Sequence, residues 1–261
     1  MPGAESNTSI MAIGGVSLEV EIRGSGAPLL LLSNEEQLEN RSTLADRLAQ
    51  KYQLIIPSPP GFGHSERPDW MTRAEDISFV YLDLLEHLKL KDVTVLGCSL
   101  GGWIAAEMAV VDDSPFSKIV LADPYGVKIG GPYDRDVQDL WIQTPEKVAA
   151  MFWKNPELAK VDYTQMSEDE LTVVARNKET FARFCWEPYM HNPKLMHRLH
   201  RIGVPTLVVW GDNDGVVTKD YGKAYAGLIP GAKFETIADA GHYPQLENTD
   251  AFLATFERFA G

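Results

Sequence analysis

A chain of 261 residues, 44% of them hydrophobic, suits one large α/β domain with an insertion and a sizeable core. Its formal net charge of −13 offers no basic face for phosphate, which argues against nucleic acid, and no basic stretch beside an apolar run that would bring it to a membrane. Two cysteines, Cys98 and Cys185, make no disulfide framework, so a reducing, cytoplasmic location is expected.

Residues 1–8 read as a loose arm, without the basic and apolar regions of a signal peptide. No apolar run approaches the length of a membrane span, and no internal repeat is visible. Val16-Ser17-Leu18-Glu19-Val20-Glu21-Ile22 alternates with period two and predicts an antiparallel strand with one wet face. Arg23-Gly24-Ser25-Gly26 turns the chain. Pro28-Leu29-Leu30-Leu31-Leu32 is wholly apolar, as in a strand buried on both faces. Ser33-Asn34-Glu35-Glu36 follows, then a helical pattern over 43–52 and a strand over 53–57. Pro59-Pro60-Gly61-Phe62-Gly63-His64-Ser65-Glu66-Arg67-Pro68 is turn-rich and too polar for a core element. Lying between a strand and a helix over 74–90, it predicts a loop at the carboxyl edge of a parallel sheet, where ligands bind.

Val93-Thr94-Val95-Leu96 then runs as a buried strand straight into Gly97-Cys98-Ser99-Leu100-Gly101, and Trp103-Ile104-Ala105-Ala106-Glu107-Met108-Ala109 continues as a helix. A glycine-rich turn with a surface serine would share the Gly-x-Ser-x-Gly spacing. Strand before and helix after make it a nucleophile elbow, in which Ser99 sits on a strained turn and glycines flank it because strand and helix pass close together. The helix N-terminus adds partial positive charge, and the Leu100 N–H points where an oxyanion would form.

A strand over 118–122 follows. Strands alternating with helices imply a parallel sheet with right-handed crossovers. That rhythm breaks at Asp123-Pro124. Residues 125–200 read as a helical cap rich in aromatics, inserted into a core made of 1–124 and 201–261. The rhythm resumes with a strand over 204–210, a helix over 219–228, a strand over 233–237, the loop Ala240-Gly241-His242-Tyr243-Pro244 and an amphipathic helix over 249–259.

A serine hydroxyl needs a base, and a histidine base needs a carboxylate to set its tautomer. Ser99, Asp214 and His242 occur in the chain order that the elbow requires. The chain resembles the α/β-hydrolases from about residue 10 to its end, on Pro60-Gly61-Phe62-Gly63-His64-Ser65, Gly97-Cys98-Ser99-Leu100-Gly101-Gly102, Trp210-Gly211-Asp212-Asn213-Asp214 and Gly241-His242. The resemblance implies an α/β fold with a mostly parallel central sheet flanked by helices and a helical cap insertion, and a catalytic Ser99–His242–Asp214 triad. Asp214 fits the family's Trp-Gly-x-x-Asp spacing. Asp212 lies two residues nearer the strand, and Asp123 stands where some members place the acid. Of the other histidines, His87, His197 and His200 read as solvated, and no ligand cluster makes a zinc site of the last two. Cys98 beside the nucleophile reads as packing.

One stretch departs from the family, which usually has His-Gly after the strand that here ends at Leu32. Ser33-Asn34-Glu35-Glu36 stands there instead. By position the second oxyanion donor is the Glu35 backbone N–H, with Asn34 as the alternative. A carboxylate facing a developing oxyanion is unfavourable, so the Glu35 side chain is expected to point away, or else Glu35 or Glu36 holds a cationic substrate group or a proton. The expected activity is hydrolysis of a small or medium apolar ester, thioester or lactone through an acyl-enzyme, with a small-molecule substrate and no cofactor or metal. A homo-oligomer is compatible with the sequence. The rivals are a carbon–carbon bond hydrolase of ring-cleavage-type diketones, for which Tyr243 replaces the tryptophan often found after the histidine while Arg176 and Arg183 are available in the cap, and a ligand-binding protein that keeps the triad and turns over slowly.

Overall fold

The computed structural model describes residues 6–261. Residues 1–5 of the expected arm lie outside the described residues, and the remainder is not loose. Strand β1 (Ser6–Ile13) pairs antiparallel along its length with β2 (Val16–Arg23). Gly14 and Gly15 join them with φ of 55° and 82°, the left-handed conformation that a two-residue hairpin turn requires.

β2 pairs antiparallel with β4 (Tyr52–Pro57), and β4 pairs parallel with β3 (Ala27–Leu32). From there β5 (Val93–Cys98), β6 (Phe116–Ala122), β7 (Thr206–Gly211) and β8 (Lys233–Ile237) add in parallel, for the order β1-β2-β4-β3-β5-β6-β7-β8. This is the mostly parallel sheet of the α/β-hydrolase fold. Alternation along each central strand feeds two cores. Leu30, Leu32, Val95, Leu121 and Val208 face one, under α2 (Ala74–His87), α3 (Leu100–Val111) and α6 (Lys219–Gly227). Leu29, Leu31, Leu96, Val120 and Val209 face the other, under α1 (Thr43–Leu48) and α8 (Thr249–Ala260). Burial on both faces is why Leu29–Leu32, Val95-Leu96, Ile119–Ala122 and Leu207–Trp210 are apolar runs. β2 carries the alternation of a half-wet strand, with Val16, Leu18 and Val20 buried between more exposed neighbours.

The chain leaves the sheet between β6 and β7. Helices α4 (Pro145–Phe152) and α5 (Glu168–Cys185) lie there, but residues 125–143 are irregular where a helix was expected. Gly130, Gly131 and Pro132 oppose a helix. The Asp136 carboxylate takes the N–H groups of Ile129 and Gly130, each at 2.9 Å, and so holds a loop instead. Helix α5 is fastened to the turn-rich loop after β4. Asn177 Oδ1 accepts from Gly63 N–H at 2.9 Å, Thr180 Oγ1 donates to Gly61 O at 2.9 Å, and Arg176 donates to Ser65 O. That loop seats the segment inserted between β6 and β7.

Candidate active site

The elbow is built by close approach. A Cβ on Gly97 would lie 2.6 Å from the Gly101 carbonyl oxygen, and one on Gly101 only 2.1 Å from that of Leu32. Glycine at both places lets α3 begin against the ends of β5 and β3. Ser99 between them has φ of 53° and ψ of −115°, a strained conformation for a residue with a side chain. Its N–H is held by Ala122 O at 2.8 Å.

The three sequence-predicted residues meet. Ser99 Oγ lies 2.9 Å from His242 Nε2, and His242 Nδ1 lies 2.8 Å from Asp214 Oδ2. Asp214 Oδ1 accepts from Val216 and Val217 N–H at 2.8 and 3.0 Å, so the loop after β7 presents Oδ2 to the histidine. His242 stands on the loop between β8 and the short helix α7 (Pro244–Glu247), and its main-chain N–H donates to Phe152 O at the end of α4 at 2.7 Å. The Tyr125 ring stacks on the imidazole at 4.9 Å, and Phe152 meets it edge-on at 5.2 Å. Ser99 and His242 are completely buried beneath this aromatic cover. A recess of about 400 Å³ on the segment between β6 and β7, bordered by Lys128, Arg135, Trp186 and Tyr189, is not lined by any of the three.

The rival residues take other places. Asp123 ends beside Asp214 and His242. Its Oδ1 accepts from Gly211 N–H at 3.0 Å, and its Oδ2 is buried without a partner. Burial, reinforced by the neighbouring Asp214 charge, pushes the Asp123 carboxyl well above the usual carboxylate range. Asp212 is exposed. His87, His197 and His200 are exposed too. Cys98 packs into the core under α1 and α8, and burial pushes its thiol well up, away from the nucleophilic thiolate.

The expectation that the Glu35 side chain points away is overturned. Glu35 is buried, and its Oε2 lies in hydrogen-bond contact with Ser99 Oγ at 2.8 Å while its Oε1 accepts a hydrogen bond from Tyr243 O–H at 2.9 Å. The cause lies in the neighbouring residues. Asn34 N–H donates to the buried Glu39 Oε2 at 2.9 Å, and Asn34 Oδ1 accepts from Glu36 and Leu38 N–H at 3.1 and 3.0 Å. These bonds wind the loop so that residue 35 faces inward and Glu36 lies at the surface. They also occupy the Asn34 N–H, the alternative oxyanion donor.

Sequence reasoning missed three neighbours. Tyr125 places a buried, unpartnered hydroxyl beside Ser99, and burial keeps it protonated. Its only sequence signal is its place just past β6, at the carboxyl edge of the sheet. Glu39 joins Asn34 to Gln245, whose Nε2 donates to Glu39 Oε1 at 2.6 Å. Burial pushes the Glu39 carboxyl up to about 7. Tyr243 enters the site through the hydroxyl that holds Glu35.

A family model described as the alpha/beta hydrolase family matches residues 35–255. Lipase 1 of Psychrobacter immobilis is 26% identical over 249 residues, 90% of this chain and 77% of that one. A 2-hydroxy-6-oxononadienedioate/2-hydroxy-6-oxononatrienedioate hydrolase of Paraburkholderia phymatum is 25% identical over 224 residues, 80% of this chain and 77% of the other. Among solved structures, a putative lipase from Acinetobacter baumannii superposes with a TM-score of 0.79 at 20% identity, covering 99% of this chain and 91% of that one.

Proposed function

Because the chain belongs to the alpha/beta hydrolase family, we propose that it is a serine hydrolase of small or medium apolar carboxylic esters, thioesters or lactones. The observation that carries this reading is the unbroken line Ser99 Oγ–His242–Asp214, with contacts of 2.9 and 2.8 Å. Asp214 keeps the His242 proton on Nδ1, so Nε2 is free to take the Ser99 proton as Oγ adds to a carbonyl carbon. His242 then returns that proton to the leaving group, and water repeats the sequence on the acyl-enzyme. The N–H groups of Leu100, at the start of α3, and of Glu35 act as oxyanion donors. Asn34 does not share that role, since its N–H is bound to Glu39.

Charge favours a neutral substrate. The whole chain is acidic, and the rings over His242 offer apolar contact. The similarity to hydrolases named for dioates supports a second reading, cleavage of a carbon–carbon bond in a ring-cleaved diketone. Two contacts weigh against it: Arg176 donates to Gly63 O and Ser65 O and Arg183 to Asp69 O, so both side chains are drawn toward the loop after β4. Free, buried Cys98 and Cys185 support a reducing, cytoplasmic setting, and no helix among the described residues is long and apolar enough to cross a membrane. The test is a panel of p-nitrophenyl acyl esters, lactones and ring-cleaved diketones. Esters or lactones should turn over with a burst of acylation. Faster turnover of the diketones would move the assignment to carbon–carbon hydrolysis, and stable binding without turnover would make the protein a receptor.

A further inference from the structure

Ser99 Oγ has one proton and two partners, His242 Nε2 at 2.9 Å and Glu35 Oε2 at 2.8 Å. Asp214 holds the proton of a neutral His242 on Nδ1, so Nε2 can only accept. The serine proton then goes to His242, and the second contact is a hydrogen bond only when its proton comes from Glu35. The other arrangement that satisfies both contacts makes His242 an imidazolium donating to Oγ, with Ser99 donating to an ionised Glu35. The two have the same charge and differ by protons shifted along the line Glu35–Ser99–His242. Only the first leaves His242 able to act as a base. It is also the one that acyl transfer tolerates, because an ionised carboxylate beside Ser99 would repel the oxyanion.

Resting on the serine hydrolase reading above, we propose that Glu35 is a catalytic residue that works as a carboxylic acid, its Oε2–H turning from Ser99 Oγ to the substrate carbonyl oxygen as that oxygen becomes an oxyanion. The C–Oγ bond forms, the carbonyl π pair moves onto oxygen, the serine proton passes to His242 Nε2, and Glu35 keeps its own proton throughout as a hydrogen-bond donor. A buried neutral acid used in this way stabilises charge without transferring a proton. Tyr243 orients it. The Tyr243 O–H donates to Oε1 at 2.9 Å, which marks Oε1 as the carbonyl oxygen and leaves the hydrogen to Oε2. Burial pushes the Tyr243 hydroxyl well above its usual range, so it remains a donor. The titratable groups around Glu35 are Glu36 and Glu39 on its own loop, His242 and Tyr243 after β8, Tyr125 after β6 and Cys185 at the end of α5. Among the described residues no lysine or arginine pairs with Glu35, so no cation competes for its proton-bearing oxygen.

The test compares Glu35→Gln with Glu35→Ala in the full chain, using p-nitrophenyl butyrate for kcat and KM and a fluorophosphonate probe for labelling of Ser99. The glutamine amide can donate from the same place, so Glu35→Gln should keep kcat within about tenfold of wild type. Alanine cannot donate and should lower kcat on the order of 100-fold with little change in KM. Melting temperatures monitor folding, and Glu35→Met, of similar length and without a donor, replaces alanine if the latter does not fold. Tyr243→Phe should lower kcat by less than alanine does. Equal loss in the glutamine and alanine variants would mean that a carboxylate acts as a base and would overturn the proposal. Unchanged or faster turnover in alanine would reduce Glu35 to a plug over the serine. Failure of wild type to hydrolyse the ester or take the probe would instead overturn the hydrolase reading, and the proposal with it.

Discussion

Glu39 offers a measurable test of how the site loop is held. It is wholly buried, accepting from Asn34 N–H at 2.9 Å and from Gln245 Nε2 at 2.6 Å. Burial raises its carboxyl from an ordinary 4.5 to about 7. The folded chain therefore binds this proton more tightly than the unfolded chain. Its contribution to stability is full below pH 4.5 and is lost as the pH rises through about 7. That span corresponds to about 3 kcal/mol, at roughly 1.4 kcal/mol for each tenfold change in proton affinity. Glu39→Gln removes the titration and keeps the shape. Its Oε1 can accept from Asn34 N–H, and its Nε2 can donate to Gln245 Oε1, which is buried and unpartnered and needs only a turn of its amide. Urea unfolding of both proteins across pH 4.5–8 reads the effect. The variant should gain about 3 kcal/mol on wild type between the ends of the series. Any fixed offset from packing drops out of that slope, as do groups common to both, such as His64 and Asp123. Parallel stability curves would show that Glu39 does not titrate here and would refute the argument.

The remaining predictions concern the reaction. Ser99→Ala should abolish burst acylation while far-UV circular dichroism stays unchanged; substantial residual turnover would make Cys98 the next candidate. Asp214→Asn should lower kcat by orders of magnitude through the wrong histidine tautomer, whereas Asp123→Asn, at a carboxyl bonded to Gly211 N–H and not to His242, should cost less than about tenfold. The reverse order would move the catalytic acid to the end of β6. Phe152→Ala removes a ring 5.2 Å from both His242 and Tyr243 and should reorder preference along a series of acyl chain lengths. A change in melting temperature alone would make that part of the cap plain packing.

Much of the fold was legible because its signals are local. Apolar runs within β3, β5 and β7 follow from burial on both faces, and the alternation in β2 from burial on one. The glycines around Ser99 are required by backbone contacts within the elbow and with β3. β1 was missed although Ile10-Met11-Ala12-Ile13-Gly14-Gly15-Val16 carries the hairpin signature, because the polar residues before it suggested an arm. Residues 125–143 were misread because aromatics in an inserted segment do not by themselves specify helix. The Gly-Gly-Pro sequence and the Asp136 loop outweighed them.

The candidate site divides along the same line. The backbone positions of Ser99, Asp214 and His242 follow from strand ends and chain order, so sequence reasoning could bring them together. The direction of the Glu35 side chain could not be read this way. It depends on Glu39 drawing Asn34 inward and on a hydroxyl 208 residues away at Tyr243. The charge argument for an outward Glu35 was sound for an ionised carboxylate, and it fails only if the group is not ionised. The same repulsion that argued against a carboxylate at the serine therefore becomes the argument for a carboxylic acid there. A proton on Glu35 reconciles two hydrogen bonds to one serine hydroxyl with a histidine that must remain a base.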